Sequence, residues 1–292
     1  MTVFNLGSIN IDHVYNMPQF PTAGETLATN SYMRALGGKG ANQSIALARA
    51  GAEIRHIGAI NPEDEWVRNQ IAETGVDLTG VQHSHQPTGH AIVAVNGSGE
   101  NQILLFAGAN QDINMDAAIT HLDAAVTADW VLLQNETNGA REFVAAAKAK
   151  GMQVAYSAAP FDASIALDLL PDCDLLIVNE GEAAALASAS GKTLSAADFG
   201  LKHLVVTKGS KGAVYYGDNI QIEQPSFVVT PIDTTGAGDC FYGFFLAAVM
   251  QGEGVNQALL QASAAAAIQV TKQGAAAAIP TRQDVLDFID QQ

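Results

Sequence analysis

The sequence predicts an α/β protein: a doubly wound, mainly parallel sheet flanked by helices, with a small β-sheet lid. Two patterns lead to this prediction. After Gly108, short runs of apolar residues alternate with helical segments, which is typical of buried parallel strands joined by helices. Between Thr88 and Phe106 the polarity instead alternates at every second residue, which is typical of a β-hairpin. The length of 292 residues suffices for one large α/β domain or two modest ones.

The first part of the chain combines a strand, two helices and the hairpin. Residues 13–34 have an irregular pattern that contains prolines and glycine. We expect this segment and the hairpin to form a small sheet beside the main one. The predicted elements are a strand at residues 3–6, helices at residues 40–50 and 63–74, and hairpin strands at residues 90–95 and 102–106.

The second part carries the alternating units and ends in long helices. Strands are predicted at residues 130–133, 153–157, 175–178, 204–207 and 227–229, and helices at residues 116–126, 138–150, 181–189, 238–251, 256–272 and 282–289. Ligands of such sheets bind at the carboxyl ends of the strands. The predicted core consists of residues 1–12, 35–87 and 107–292, and the lid consists of residues 13–34 and 88–106.

The charge balance argues against two classes of partner. The chain has 14 Lys and Arg residues against 30 Asp and Glu residues, a formal net charge of −16. Nucleic acids and anionic membranes both attract Lys and Arg, so we expect neither as a partner. A ligand that carries phosphate must then be held by backbone amides or by a metal ion.

The cysteines and the apolar runs indicate a soluble, cytoplasmic protein. Cys173 and Cys240 lie in or beside apolar runs, so we expect buried free thiols and no disulfide scaffold. The first residues lack the basic start and apolar stretch of a signal peptide. The longest apolar run, residues 244–250, is far shorter than the ~20 residues of a membrane span.

The most informative motif is D-T-T-G-A-G-D at residues 233–239, directly before an apolar helix. Gly236 and Gly238 allow a tight turn in which backbone N–H groups converge, and the helix N-terminus adds a positive dipole. Such a turn holds an anion without a basic side chain. Asp239 beside the anion suits a base that takes a proton from an attacking hydroxyl during phosphoryl transfer. The alternative is that Asp239 only caps the helix.

Two further motifs suit a ligand with several hydroxyl groups. In G-G-K-G-A-N at residues 37–42, the glycines bring the main chain close to a small ligand, and Asn42 offers a bidentate amide. In G-S-I-N-I-D at residues 7–12, Asn10 and Asp12 face the same way if the chain is extended. The alternatives are a structural glycine-rich turn for the first motif and an Asx-turn for the second.

Two motifs that follow buried strands suit a nucleotide. Asn179 and Glu182 can reach a hydrated Mg²⁺ and phosphates, although a capping box explains the same spacing. The motif T-K-G-S-K-G at residues 207–212 can cradle a nucleotide or be a plain glycine-rich turn. His83 and His85 lack a third metal ligand at useful spacing, so we expect them in a solvated loop.

In this order the motifs resemble those of the ribokinase-like (PfkB-type) carbohydrate kinases, over essentially the whole chain. The resemblance implies ATP-dependent phosphorylation of a pentose, D-ribose, at its 5-hydroxyl. Asp239 would be the base, and the amides of Gly236, Ala237 and Gly238 would form the anion hole. The implied sugar contacts are Asn10, Asp12, Gly38, Lys39, Gly40, Ala41, Asn42, Glu136 and Asp239. The implied nucleotide contacts are Asn179, Thr207, Lys208, Gly209, Ser210, Lys211, Gly212, Gly238 and Ser263.

The resemblance also implies ions and a homodimer. Asn179 and Glu182 would help to place Mg²⁺, and a monovalent cation, usually K⁺, would lie beside the anion hole. Ala278 stands where the family has a hydroxyl side chain near the cation loop. The lid matches a sheet whose apolar face commonly pairs two subunits. The positions that match the cation ligands, several through backbone carbonyls, are Asp233, Thr235, Gln269, Lys272 and Gly274.

Two other functions are compatible with the sequence. One is a kinase for another sugar or for a nucleoside, whose base would need apolar or aromatic lid residues, and the lid offers His90, Ile92 and Ile103. The other is a sugar-sensing binding protein without catalysis. The complete turn at residues 236–239 argues against it, because a pure binder gains nothing from a base beside an anion hole.

Overall fold

Two β-sheets organise the chain. The computed structural model describes residues 1–217 and 220–292. In chain order, the described strands are β1 Thr2–Leu6, β2 Asn10–Asn16, β3 Ser31–Gly37, β4 Glu53–Ile60, β5 Asp77–His83, β6 Gly89–Val95, β7 Asn101–Phe106, β8 Trp130–Leu133, β9 Gln153–Ser157, β10 Leu175–Asn179, β11 His203–Thr207, β12 Ala213–Gly217 and β13 Ile220–Gln224. Nine of them form a large sheet in the order β13-β12-β11-β10-β9-β8-β1-β4-β5, and four form a small sheet in the order β3-β2-β6-β7.

Helices cover both faces of the large sheet. In chain order they are α1 Lys39–Arg49, α2 Glu65–Ala72, α3 Met115–Thr120, α4 Ala140–Ala149, α5 Ala163–Leu169, α6 Glu180–Ser190, α7 Ala196–Phe199, α8 Ala237–Met250, α9 Val255–Val270 and α10 Arg282–Asp290. One buried apolar cluster joins the sheet to α1, α2, α8, α9 and α10. A second cluster joins the opposite face to the helices from α3 to α7.

The central strands of the large sheet are apolar, which matches the cover on both of its faces. In β1, Val3 packs into one cluster while Phe4 and Leu6 pack into the other, as expected when alternate side chains point to opposite faces. Seven neighbouring strands of the large sheet pair in parallel, in the order β5-β4-β1-β8-β9-β10-β11. The strands β12 and β13 add an antiparallel edge. The predicted doubly wound, mainly parallel sheet is confirmed.

The small sheet is the predicted lid, and it contains more strand than the sequence indicates. β2 pairs antiparallel with β3 and parallel with β6, which in turn pairs with β7. Residues 13–34 are expected to join the hairpin in a small sheet, and β2 and β3 do so, although the sequence analysis predicts no individual strand there. Both strands depend on partners brought by the fold, and local sequence preference does not reveal such pairing. The domain boundaries drawn on either side of the lid stay predictions.

Two other expectations are corrected by the structure, and some elements are not predicted. Residues 227–229 form no strand; the side chain of Val228 is 100% exposed. The helix predicted over residues 116–126 ends at Thr120 and continues as turns. Elements that the sequence analysis does not predict are β4, β5, β12, β13, α5 and α7.

The cysteines agree with expectation, since Cys173 and Cys240 are both buried and free. Within the described ranges, no helix combines the length and the apolar character that crossing a bilayer requires.

Candidate active site

The candidate site lies where α1 and α8 meet the carboxyl ends of the parallel strands. The strand order reverses between β1 and β8, which is where open α/β sheets bind their ligands. Two glycines permit the close approach of these elements. A Cβ on Gly40 of α1 would lie 2.4 Å from Cα of Gly7, and a Cβ on Gly243 of α8 would lie 2.4 Å from Cβ of Ala46. The close packing of α1 against β1 and α8 brings their polar residues into one site.

Asp239 lies in the first turn of α8, with its carboxylate between two side-chain amides of α1. Asn42 Nδ2 donates to Oδ2 over 3.0 Å, and Gln43 Nε2 donates to Oδ1 over 2.9 Å. Burial raises the pKa of Asp239 to about 6, although Lys39 and the two amides act to lower it. The carboxylate is therefore ionised at neutral pH and still basic enough to accept a proton.

The turn before α8 carries backbone N–H groups at the start of a helix, and that of Ala237 makes only a long contact, 3.3 Å, with the carbonyl of Thr234. Gly236 has a φ of 76°, in the left-handed region that favours glycine. The Oδ1 atom of Asp233 accepts a 2.9 Å hydrogen bond from the backbone N–H of Thr235 and so holds the turn. The first N–H groups of a helix lack intrahelical acceptors and lie at the positive end of its dipole. The turn at residues 236–238 therefore has the chemistry of an anion cradle, and Asp239 borders it.

The predicted sugar contacts include a cluster of charged groups near Asp239. The backbone N–H of Lys39 donates to Glu136 Oε2 over 3.2 Å, and Lys39 Nζ lies 3.7 Å from Glu136 Oε1. Burial would lower the pKa of Lys39, but the charges of Glu136 and Asp239 raise it above its ordinary value. Burial and then the charge of Glu136 raise the pKa of Asp12 to about 6. Each of these groups is close enough to perturb another, so the fold brings them together.

The start of β2 lies against the turn at residues 37–42. Asn10 is buried, and its Oδ1 atom accepts a 2.7 Å hydrogen bond from Asn110 Nδ2. Asn110 Oδ1 in turn accepts the backbone N–H of Ile9 over 2.9 Å. A Cβ on Gly38, whose φ is 93°, would lie 2.8 Å from the backbone N of Asn10. The main chain at Gly38 is therefore adjacent to Asn10, which is predicted to contact the sugar.

Three residues of the site are missing from the sequence analysis: Gln43, Ser8 and Asn110. All three are buried. Gln43 binds the carboxylate of Asp239, Ser8 Oγ donates a short hydrogen bond to Glu136 Oε2, and Asn110 holds Asn10. Gln43 could have been found from the sequence, because it lies among the apolar residues of a helix and a buried polar side chain needs a partner.

A chain of buried polar side chains fixes Gln43 from behind. Gln43 Oε1 accepts from Gln134 Nε2 over 2.8 Å, and the same Nε2 lies 3.1 Å from Asn5 Oδ1. Asn5 Nδ2 donates to Ser44 Oγ over 2.8 Å, and Ser44 Oγ lies 2.8 Å from His56 Nδ1. Burial lowers the pKa of His56 to about 4, so the ring is neutral at the end of this chain. The network orients the amide of Gln43 with its N–H toward Asp239.

A cavity of about 510 Å³ opens on the other side of the turn before α8. Its walls include Val228, Val229 and Val270, which the sequence analysis does not assign to a site. The apolar run at residues 227–229 thus lines a cavity where a strand was predicted. The cavity is lined by six of the predicted nucleotide contacts: Thr207, Gly209, Ser210, Gly212, Gly238 and Ser263. Asn179, Lys208 and Lys211 are not among its lining residues.

The predicted magnesium residues bind each other. Asn179 Oδ1 accepts the backbone N–H of Glu182 over 2.9 Å, and Glu182 Oε2 accepts the backbone N–H of Asn179 over 2.8 Å. This is the capping box that the spacing also allowed. In the described part of the chain no three His, Cys, Asp or Glu residues are grouped to hold a metal ion. One oxygen of Glu182 is outside the capping box, which suits Mg²⁺ held largely by water and phosphate.

The residues predicted to hold a monovalent cation lie together below the turn, but internal N–H donors already bind oxygens of three of them, Asp233, Thr235 and Gln269. The two carboxylate oxygens of Asp233 accept the backbone N–H groups of Thr235 and Gly274, each over 2.9 Å. The Thr235 carbonyl accepts from Gln269 Nε2 over 2.9 Å, and the Gln269 carbonyl accepts the backbone N–H of Lys272, also over 2.9 Å. As arranged, these residues do not fit K⁺, because an amide N–H faces a carbonyl that would have to face the ion.

Comparison with known proteins identifies the family. The family described as pfkB family carbohydrate kinase matches residues 2–282. The chain belongs to this family. Ribokinase from Haemophilus influenzae is 36% identical over 304 residues, which cover 99% of this chain and 98% of the relative.

Solved ribokinase structures share the fold of this PfkB-family chain. Ribokinase from Thermotoga maritima superposes with a TM-score of 0.88 at 30% identity and covers 99% of both chains. Ribokinase from Arabidopsis thaliana, complexed with ribose and ATP, gives a TM-score of 0.85 at 29% identity, over 99% of this chain and 98% of the other. The predicted family and fold class are confirmed. The roles of individual site residues stay predictions.

Proposed function

We propose that this PfkB-family kinase transfers the γ-phosphoryl group of ATP to the 5-hydroxyl of D-ribose. The observation that carries the proposal is the carboxylate of Asp239, held by Asn42 and Gln43 at the edge of the anion cradle. Asp239 takes the proton of the attacking hydroxyl as that oxygen bonds to the γ-phosphorus and the bond to ADP breaks. The N–H groups of residues 236–238 bind the charge that the transferring group carries.

The sugar is proposed to lie between the lid and the turn at residues 37–42. Asn10, Asp12 and Asn42 present amide and carboxylate groups, which bind hydroxyls well in a water-poor site. Lys39 pairs with Glu136 at 3.7 Å and so offsets part of the negative charge of this wall. The solved relative from Arabidopsis thaliana holds ribose and ATP. The proposed alternatives within the family are other pentoses, hexoses and nucleosides.

ATP is proposed to occupy the cavity of about 510 Å³ beside the cradle. Its apolar wall suits the adenine ring, while the glycine-rich turn at residues 207–212 lets the ligand approach the backbone. Mg²⁺ would neutralise the phosphates in a chain whose net charge is −16, and Asn179 and Glu182 would help to hold it through its water shell. The use of ATP and the two free buried thiols agree with a cytoplasmic location.

A homodimer through the lid is proposed from the apolar surface of β7. Its four apolar residues are 47–69% exposed, and they are Ile103, Leu104, Leu105 and Phe106. An edge strand with this composition normally has a cover. Leu104→Asp should give monomers in sedimentation velocity, whereas Ile220→Asp on β13 of the large sheet should not. Equal dissociation by both variants, or by neither, would contradict the lid interface.

The substrate proposal is tested by measuring kcat/KM with ATP and Mg²⁺ for a panel of acceptors. The panel includes D-ribose, 2-deoxy-D-ribose, D-fructose and inosine. We expect D-ribose to exceed every other acceptor by at least about tenfold, because a missing hydroxyl leaves buried polar groups unpaired. A preference for inosine or fructose would keep the family chemistry and reject ribose. Binding of sugar without turnover of any acceptor would favour the non-catalytic sensor.

A further inference from the structure

The side chain of Gln269, near the end of α9, lies directly beneath the catalytic turn. It is fully buried, with a relative exposure of 0%. Its Nε2 atom donates to the carbonyl of Thr235 over 2.9 Å and to the carbonyl of Ala275 over 3.4 Å. A Cβ on Gly236 would lie only 2.9 Å from the same nitrogen. One amide group therefore bridges the turn at residues 233–236 and the loop that follows α9.

The orientation of this amide is fixed by its neighbours. The reverse orientation would place Oε1 against two carbonyl oxygens, all three of them acceptors without a hydrogen between them. With Nε2 in that position, Oε1 has no hydrogen-bond partner among the described residues. A buried amide oxygen without a partner is costly, so the two donated bonds must outweigh that penalty.

A second side chain also holds the loop after α9, and this one, Arg49, carries a permanent positive charge. Arg49 at the end of α1 donates from one guanidinium nitrogen to the carbonyls of Ala276 and Ile279. Together with the bond from Gln269 to Ala275, three carbonyls of this loop accept hydrogen bonds from side chains. In a fold where backbone oxygens converge on one place, N–H donors and a cation are alternative ways to hold those oxygens together.

We propose that the Gln269 amide takes the place of a monovalent cation beneath the turn, so that catalysis by this chain needs no K⁺. The two N–H groups of Gln269 hold the carbonyls of Thr235 and Ala275 in place, and with them the turn that cradles the anion. A partly positive N–H in that position repels a cation. The inference rests on the proposed kinase activity, but whether K⁺ binds can be measured without turnover, from the Tm in different salts.

The first test compares the unmodified protein in KCl and in tetramethylammonium chloride at equal ionic strength. ADP is measured directly by chromatography, so that no coupling enzyme adds a cation requirement of its own. We expect kcat/KM in KCl to lie within about twofold of the value in tetramethylammonium. We also expect the same Tm in both salts, because an ion that binds the folded state raises Tm by mass action.

The second test uses the nearly isosteric variant Gln269→Glu, with Gln269→Met as its matched control. Glutamate replaces the donor by an oxygen, so three acceptors face one another and a cation is needed between them. At pH 8 we expect this variant to lose at least about tenfold of its kcat/KM in tetramethylammonium and to recover most of it in KCl. KCl should also raise its Tm. Methionine supplies neither donor nor ligand, so Gln269→Met should lose activity in both salts without rescue.

The outcomes separate the two proposals. Activation of the unmodified protein by K⁺ of more than about fivefold, or a Tm raised by K⁺ alone, overturns the role given to Gln269. Turnover absent for every acceptor in both salts overturns the proposed function, and the Tm comparison then still decides on the cation. Should Gln269→Glu fail to fold, the unmodified protein compared in the two salts decides between K⁺ and the amide. Unchanged activity of Gln269→Met in tetramethylammonium would also contradict the inference, because no donor would then be needed.

Discussion

The proposed sugar side and the proposed nucleotide side of the site are built by different means. On the sugar side, the Asp239 carboxylate is bound by Asn42 and Gln43 at 3.0 and 2.9 Å, with a buried polar chain behind them. On the nucleotide side, an open cavity is lined largely by glycine, serine and apolar residues of turns. Val228 on its wall is 100% exposed, although it lies within the apolar run at residues 227–229.

The difference shows which side is preorganised. Fixed dipoles in a water-poor site stabilise charge without reorganising during the reaction, so their removal is costly. A wall made of backbone and small apolar groups offers little that one substitution can remove. We therefore expect substitutions on the sugar side to have large effects on turnover and those on the nucleotide side to have small ones.

The largest effect is expected for Asp239→Asn. Asparagine cannot accept the hydroxyl proton, so kcat should fall by at least about 10³-fold. The Kd of the sugar should stay within about tenfold, because the base acts mainly in the transition state. Stopped assays of product formation and calorimetric titration with sugar measure the two quantities. Near-normal turnover would show that another group is the base.

Gln43→Met should have the next largest effect. Methionine keeps the volume but removes the donor to Asp239 Oδ1, so kcat should fall about 10- to 100-fold through misplacement of the base. Loss of a hydrogen bond to the charged form also raises the pKa of Asp239, so the acid limb of the pH profile should move to higher pH. A lower kcat with an unmoved acid limb would reduce Gln43 to a packing role.

The pH profile of the unmodified protein should show the raised pKa of Asp239. Burial raises that pKa to about 6, so kcat/KM should fall about tenfold per pH unit below 6, where the base is protonated. The contribution of Asp239 to the stability of the fold changes with pH in the opposite direction. The folded state holds this proton more tightly than the unfolded state does, so the stabilisation is fully present below the ordinary pKa of 3.8 and lost as pH rises through about 6. An unchanged kcat/KM down to pH 5 would refute the assignment.

Asn110→Ala should act on sugar binding with a moderate effect. It removes the 2.7 Å hydrogen bond to Asn10 and the acceptor of the Ile9 N–H. Loss of these two buried hydrogen bonds, one of which holds Asn10, predicts a KM for the sugar raised about five- to tenfold, with kcat nearly unchanged. Asn114→Ala, at the exposed cap of α3, is the matched control and should leave KM as it was. A fall in kcat with constant KM would place Asn110 in the reaction itself.

The smallest effect is expected for Ser263→Ala on the nucleotide side. Ser263 Oγ is buried beside the cavity and has no hydrogen-bond partner among the described residues. Its loss should raise the KM for ATP by no more than about threefold, the worth of one modest hydrogen bond. A change above tenfold would show that the nucleotide side also depends on side-chain hydrogen bonds, and the contrast between the two sides would fail.

The sequence by itself predicts those parts of the molecule that depend on neighbours along the chain. Gly236 and Gly238 before an apolar helix predict an anion cradle, because turn conformation and helix dipole are local properties. The apolar runs that become β8, β9, β10 and β11 predict a covered parallel sheet for the same reason. Asn42 and Asp239 are recognisable as candidate site residues in the same way, since each directly follows a glycine-rich turn.

Only the tertiary structure decides which distant groups meet. Gln43 and Asp239 are 196 residues apart in sequence, and Gln269 and Thr235 are 34 apart. No pattern in either segment shows that an amide will face a carboxylate or a carbonyl. The strands β2 and β3 likewise required their partners in the lid before they could be recognised. Turn geometry follows from the residues of the turn, whereas the partner of a buried polar side chain follows from the packing of the whole fold.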